Sequence, residues 1–159
     1  MIRVGISEYK TTSSPNILSS VGLGSCVGIC LYDPVAKVGG LAHVLLPDSG
    51  IGKKDANPGK FADTAINALL HKMGEEGSSI NKIRAKLVGG ASMFSTSDSD
   101  TERMFSMGPK NVAAVKNILA KKGIKLDAED TGGSNGRTIE FHPGTGRVVI
   151  KTMTGTTEI

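Results

Sequence analysis

Two apolar segments separated by a tight polar turn constrain this chain more than anything else in it. Val27-Gly-Ile-Cys-Leu-Tyr32 alternates Val, Ile and Leu with Gly, Cys and Tyr, the period-two pattern of a half-buried strand. Asp33-Pro34 is a turn signal, and Val38–Leu46 reads as the return strand, ended by Pro47-Asp48-Ser49-Gly50. With Asp33–Ala36 as a four-residue loop, Tyr32 faces Lys37, and the register pairs Val27 with Ala42, Ile29 with Gly40 and Leu31 with Val38. One hairpin face is then wholly apolar. The same register sets Cys26 directly opposite His43, where Cβ atoms lie roughly 4.5–5.5 Å apart. A loop one residue longer or shorter reverses the parity and destroys both features.

The rest of the chain fits around this hairpin. Arg3–Ser7 reads as an opening strand, Ser13-Ser14-Pro15-Asn16 as a turn, and Ile17–Leu23 as a strand leading into the Cys26 loop. Gly50–Gly59 is a polar loop. Phe61, Ala65, Ile66, Leu69 and Met73 recur at helical spacing, with Gly74 as the stop. Ile83–Val88 is strand-like, and Ser92–Glu102 reads as a polar surface loop. Asn111 is placed to cap a second helix, with Val112, Val115, Ile118 and Leu119 as its apolar stripe and Gly123 as its end. Ile124–Asp130, Arg137–Phe141 and Arg147–Thr152 are strand-like. The order β-β-β, α, β, α, β-β-β predicts a layered α/β sandwich with largely antiparallel, mixed sheets and two main helices. Glycine supplies 21 of 159 residues, well above the usual ~7%, which suits a turn-rich α/β domain better than a bundle. The length suits a single domain spanning residues 1–159.

Charge and composition exclude several roles. The net charge of +4 is mild, the lysines are scattered (Lys53-Lys54, Lys121-Lys122), and aromatics make up only 4%. No platform for stacking bases is evident, so a nucleic-acid partner is not expected. The N-terminus lacks the apolar core of a signal peptide, and no apolar run approaches the ~20 residues of a membrane helix. A cytoplasmic chain without membrane insertion is expected, with its two cysteines as free thiols.

The chemistry-bearing residues gather around the hairpin. Cys26 follows a glycine-rich run, Ser20-Val-Gly-Leu-Gly-Ser-Cys26. A thiol nucleophile needs a base, a group to orient that base, and backbone N–H groups for the oxyanion. His43 is the candidate base, and its imidazolium would stabilise the Cys26 thiolate. The Ser20 hydroxyl is the candidate acceptor for the other ring N–H, and the Gly24-Ser25-Cys26 backbone is the candidate oxyanion loop. The same pattern also arises from a packed thiol and a satisfied histidine. Gly22-Leu-Gly24-Ser-Cys-Val27 fails the dinucleotide fingerprint, since Val27 stands in place of the third glycine. Cys26 and Cys30 lie about 13 Å apart along a strand, too far for a disulfide, and no second cluster stands at metal spacing. Cys30 reads as a packed thiol and His71 as solvated, which leaves His142 as the one rival base.

Gly22-Leu-Gly-Ser-Cys26-Val, Tyr32-Asp-Pro34, Gly40-Leu-Ala-His43 and Leu46-Pro47-Asp48-Ser49 together closely resemble the CheD family, the chemoreceptor glutamine deamidases of chemotaxis. Lys86-Leu-Val-Gly89-Gly90-Ala91, Lys110-Asn111-Val112 and Asp130-Thr-Gly132-Gly133 with Gly136-Arg137 extend the resemblance over most of the chain. It implies Cys26 as nucleophile, His43 as base, and Ser20 where the family usually carries Thr. It also implies a sandwich similar to the deamidase domain of the cytotoxic necrotizing factor toxins. The implied activity is protein-glutamine glutaminase action, through a Cys26 thioester, on the cytoplasmic helices of chemoreceptors, with no metal or organic cofactor; a monomer is expected, since nothing in the sequence argues against one. Two other readings stand beside it. One is a regulatory module for a CheC-type response-regulator phosphatase, and the other a papain-like thiol protease, for which the chain is short.

Overall fold

Strand β4 (Val27–Asp33) is buried along its whole length, and so is its hairpin partner β5 (Val38–Val44). The half-buried pattern expected for this hairpin is therefore only half of what the structure does with it. In the computed structural model, which describes residues 1–51, 57–92 and 107–159, the hairpin is the middle layer of three. Val27, Ile29, Leu31, Val38, Ala42 and Val44 form one face and pack under two helices. Cys30, Tyr32 and Leu41 form the other and pack against a second sheet.

The hairpin sheet also contains β2 (Tyr9–Ser13), β6 (Arg84–Gly89) and β7 (Lys125–Thr131), in the order β2-β5-β4-β6-β7. The second sheet is built from β1 (Ile2–Arg3), β3 (Leu18–Leu23), β8 (Arg137–His142), β9 (Arg147–Thr152) and β10 (Gly155–Glu158), in the order β1-β3-β8-β9-β10. Only β1–β3 and β6–β7 pair in parallel among the strand pairs described. Helices α1 (Ala62–Glu75) and α2 (Gly108–Lys121) cover the outer face of the hairpin sheet through Ala62, Ala65, Ile66, Leu69, Met73, Val115 and Leu119. The layered α/β sandwich is thus helix, sheet, sheet.

Several boundaries differ from expectation for identifiable reasons. Strand β2, Tyr9-Lys-Thr-Thr-Ser13, carries no apolar run because it is an edge strand with one fully covered side chain, Thr12. Strand β10 is wholly exposed and equally cryptic. The opening strand ends at Arg3 rather than Ser7. Gly74 lies inside α1, and Gly77, at φ +100°, makes the turn beyond its end. Asn111 does not cap α2, which begins three residues earlier with Pro109 in its first turn. Lys53-Lys54 and most of the Ser92–Glu102 loop lie outside the described residues.

The hairpin register is also shifted. Asp33 pairs with Val38, so the loop is Pro34–Lys37, and Val27 pairs with Val44, Ile29 with Ala42 and Leu31 with Gly40. Asp33 causes the shift. Its Oδ1 accepts the N–H of Val35 (2.9 Å) and of Ala36 (3.0 Å), and its carbonyl accepts the N–H of Lys37 (2.8 Å), which sits at φ +58°. Asp33 therefore opens the turn from the last position of the ladder instead of lying within the loop. The displacement amounts to two in pairing, so parity is kept and each face keeps its residues.

Layer spacing is set at β5. Consecutive residues point to opposite faces. A Cβ at Gly40 would lie 2.7 Å from Leu69 Cδ2 of α1, and one at Gly39 would lie 2.7 Å from the Leu31 carbonyl oxygen and 2.8 Å from Pro143 Cβ. Gly39→Val is expected to destabilise the fold by about 1–3 kcal/mol through overpacking. Gly74→Ala, with nothing within 4 Å of the new Cβ, is expected to gain up to about 1 kcal/mol from helix propensity. Denaturant unfolding of the two variants checks this, and equal effects would show that β5 does not set the spacing.

Candidate active site

Ser20 on β3 and His43 on β5 meet across the interface between the two sheets. Both side chains are fully buried, with Ser20 Oγ 2.8 Å from His43 Nδ1. The Ser20 hydroxyl also donates to the Val4 carbonyl at 2.7 Å. A hydroxyl has one hydrogen, so with that hydrogen spent on Val4 it can only accept at Nδ1. His43 must therefore carry its proton on Nδ1. Its Nε2 is left as a bare, buried lone pair, without a hydrogen-bond partner among the described residues. The backbone of His43 is pinned as well, its N–H donating to the Glu8 carbonyl (3.0 Å) and its carbonyl accepting from Ser7 (2.9 Å).

Cys26 lies in the turn joining β3 to β4 and is 7% exposed. The shifted register puts Gly28, not Cys26, opposite His43. Cys26 precedes the first rung, at Val27; extending the register by one residue sets it diagonal to the histidine, and it packs with Cys30 and Leu41 between the sheets, the side of β5 that carries His43. Such neighbours lie roughly 7–8 Å apart, within reach of a ring side chain. Gly28 contributes no side chain to the space between them.

The Cys26 loop is held by its carbonyls. Gly24 accepts from Ala91 N–H (2.9 Å), Ser25 from Asn111 Nδ2 (3.0 Å) and Cys26 from Gly90 N–H (2.8 Å). No backbone carbonyl among the described residues takes up the N–H groups of Ser25 and Cys26, and the Cys26 N–H lies against its own sulfur. Gly89 has to be glycine here. Its φ is +115°, and a Cβ would stand 2.3 Å from the Cys26 carbonyl oxygen. Buried Arg137 braces this turn, donating to the Gly89 carbonyl (3.3 Å) and the Gly132 carbonyl (3.0 Å) and pairing with Asp130 (3.2 Å).

Burial decides the protonation states. It pushes the Cys26 thiol up to about 11, against a smaller opposing pull from the residue's own backbone N–H, and pushes His43 down to about 4. At neutral pH the resting pair is thiol and neutral imidazole. The expectation of a standing thiolate–imidazolium pair is corrected on this point, because both charged forms are desolvated. Cys30 is a fully buried free thiol whose titration is likewise raised by burial. His71 is exposed against Glu75 (3.0 Å). His142 ends β8 beyond Phe141, which pairs with Leu18 at the start of β3, whereas Cys26 follows the far end of that strand. Sequence reasoning missed the Asn111 amide, whose position near a helix start suggested a cap. No cluster of three or more potential metal ligands occurs among the described residues.

Residues 45–152 match the family model described as CheD chemotactic sensory transduction. The chain belongs to the CheD family. Among its relatives, a probable chemoreceptor glutamine deamidase CheD of Caldanaerobacter subterraneus is 49% identical, covering 96% of this chain and 93% of its own length. The chemoreceptor glutamine deamidases CheD of Thermotoga maritima and Halalkalibacterium halodurans are 45% and 46% identical, covering 96% of this chain and 92% and 94% of theirs. Among solved structures, a Neisseria meningitidis protein of the DUF152 family, NMB0706, superposes with a TM-score of 0.50 at 9% identity, over 84% of this chain and 65% of that one. The chain thus spans just under two thirds of that protein, with which it shares the fold. No described helix is long and apolar enough to cross a membrane.

His43 also carries a pH dependence of stability. Its folded value of about 4 lies below an ordinary histidine's ~6.5, so between these values the unfolded chain binds the extra proton. The contribution is complete above pH 6.5 and is lost as pH falls toward 4, by about 3 kcal/mol in total. Denaturant titrations at pH 7 and pH 4.5 should show a larger loss for the parent than for His43→Leu. Parallel losses would mean that the imidazole is not buried in its neutral form.

Proposed function

We propose that this chain is a chemoreceptor glutamine deamidase that works through Cys26, His43 and Ser20. The observation that carries the reading is the Val4–Ser20–His43 chain of hydrogen bonds. It fixes the ring tautomer and leaves Nε2 bare on the same side of the sheet as the thiol. The substrate class comes from the printed names of the relatives.

Cys26 Sγ attacks the side-chain amide carbon of a receptor glutamine while His43 Nε2 takes the thiol proton. The carbonyl oxygen becomes an oxyanion, met by the free N–H groups of the Gly24-Ser25-Cys26 loop. One such donor contributes about 3–4 kcal/mol to the barrier. His43 then returns the proton to the leaving nitrogen, the carbon–nitrogen bond breaks, and ammonia departs from a thioester. A water deprotonated by the same Nε2 attacks the thioester, restoring the thiol and releasing glutamate. The balance is glutamine and water to glutamate and ammonia, with no cofactor. Because the resting pair is neutral, His43 acts as a general base during attack and not as the partner of a preformed thiolate.

Every group in this scheme comes from one chain, residues 1–159 taken as a single domain, so a monomer suffices. The substrate is the cytoplasmic part of the receptor, which puts the reaction in the cytoplasm.

Incubation with a receptor cytoplasmic fragment should raise its mass by about one unit per glutamine converted, and Cys26→Ala should abolish the change. Peptide fragments would indicate a thiol protease instead. An unchanged receptor, together with binding and stimulation of a CheC-type phosphatase, would make the chain a regulatory module. Ser20→Ala strands the His43 Nδ1–H and the Val4 carbonyl. It is expected to lower kcat about 100-fold, whereas Ser20→Thr keeps the oxygen and stays near the parent. Full activity in Ser20→Ala would remove the hydroxyl from the mechanism.

A further inference from the structure

Asn111 is a fully buried polar side chain that the deamidation scheme does not use. Its Nδ2 donates to two carbonyls, Ser25 at 3.0 Å and Leu45 at 3.1 Å. Carbonyl oxygens only accept, so both contacts must be made by the nitrogen and the amide cannot be flipped. Ser25 immediately precedes Cys26, and Leu45 lies two residues after His43. A single amide group from α2 therefore ties the segment carrying the thiol to the segment carrying the imidazole. The two segments need such a tie. The Cys26 loop precedes the first rung of the β4–β5 ladder, which ends at Val27 and Val44. Beyond that rung no strand hydrogen bond joins the segments, and the Asn111 amide stands where the next rung would be.

The position is poorly suited to a purely structural role. Asn111 Oδ1 is buried with no hydrogen-bond partner among the described residues. An unsatisfied buried acceptor costs stability, and an apolar side chain would avoid it. Helix α2 is seated close enough to aim the amide. A Cβ at Gly108 would stand 2.3 Å from the Ala91 carbonyl oxygen and 2.4 Å from that of Gly90, the two residues whose N–H groups hold Gly24 and Cys26.

We propose that Asn111 is a positioning residue for deamidation, clamping the Cys26 loop to the end of β5 so that the thiol and His43 Nε2 keep the spacing the reaction needs. The inference rests on the proposed function for its activity readout, but its geometry can be tested without that reading.

The test uses Asn111→Ala and Asn111→Ser in the full chain, assayed below their melting temperatures. Turnover of a receptor cytoplasmic fragment is compared with iodoacetamide labelling of the two cysteines at pH 8, followed by mass spectrometry. In Asn111→Ala, kcat is expected to fall about 100-fold, the effect of a misplacement near 1 Å, with KM little changed. Asn111→Ser, which keeps one donor, should fall less. Cys26, released from burial, should label faster than in the parent, while buried Cys30 stays protected. A more reactive thiol in a poorer enzyme is the signature of lost positioning. Parent-like kcat in either folded variant overturns the proposal. So does simultaneous labelling of Cys26 and Cys30, or failure of both variants to fold, since Asn111 would then only support the core. If the parent and Cys26→Ala deamidate equally, the proposed function fails, while the labelling comparison still decides the clamp.

Discussion

A neutral imidazole enclosed between two sheets is the constraint on which the site depends. His43 has no solvent to satisfy it, so each ring nitrogen is governed by what the fold places beside it. One hydroxyl does this, and its own hydrogen is already committed to Val4. The direction of the whole chain of hydrogen bonds follows from the fact that a carbonyl cannot donate. β1, the two-residue strand leading to Val4, thus bears on the proposed chemistry through the Val4 carbonyl that follows it. It lies parallel to β3, and the Val4 N–H bonds to the Ser19 carbonyl at 2.7 Å. That pairing delivers the Val4 carbonyl to Ser20.

The layering serves the proposed nucleophile, Cys26, in a complementary way. A loop between two strands of different sheets has few ladder partners, and the Cys26 loop would be mobile if left to itself. Instead, three successive carbonyls are drawn toward the β6–α2 side by Ala91, Asn111 and Gly90. The N–H and C=O of a trans peptide point in opposite directions, so anchoring a turn by its carbonyls turns its N–H groups the other way, toward the oxyanion of the proposed scheme. The glycine at 89 and the Arg137 brace belong to the same device. They carry no chemistry, yet they set how closely β6 approaches the Cys26 carbonyl.

Much of this was legible in the residues, and what was not has physical causes. The parity of the β4–β5 hairpin follows from the alternation of Val27, Ile29 and Leu31, so Cys26 and His43 were placed on one side correctly. Their direct opposition was not. The pairing depends on whether Asp33 lies within the loop or at its mouth, and its side-chain bonds to Val35 and Ala36 settle that only in three dimensions. The burial of both hairpin faces was equally hidden, since Gly28, Cys30 and Tyr32 do not read as an apolar face until the second sheet covers them. Strand β2 escaped because an edge strand needs no apolar stripe. The Ser20–His43 contact was read from the resemblance and from the need for an orienting group, while the role of Val4 could not be, because a backbone carbonyl has no sequence signature. Asn111 was visible but misassigned. An Asn near a helix start usually caps it, and only the earlier start of α2 at Gly108 frees this side chain for the loop.

The site also shows where the fold gives up stability. Two of its buried polar atoms, His43 Nε2 and Asn111 Oδ1, have no hydrogen-bond partner among the described residues. Each unsatisfied buried group costs about 1–3 kcal/mol, a large fraction of a marginal total. The two costs differ in kind. The bare Nε2 is the lone pair to which we assign the proton transfer, and any protein group that satisfied it would block that step. The bare Oδ1 is the other end of an amide needed for its two donors, since an apolar side chain would remove the cost and the tie together. One of these departures from a well-satisfied core lies on β5 and the other on the α2 side chain that reaches the end of the hairpin, while the rest of β4 and β5 is packed on both faces. A rigid, over-determined frame of this kind can hold an under-satisfied site open.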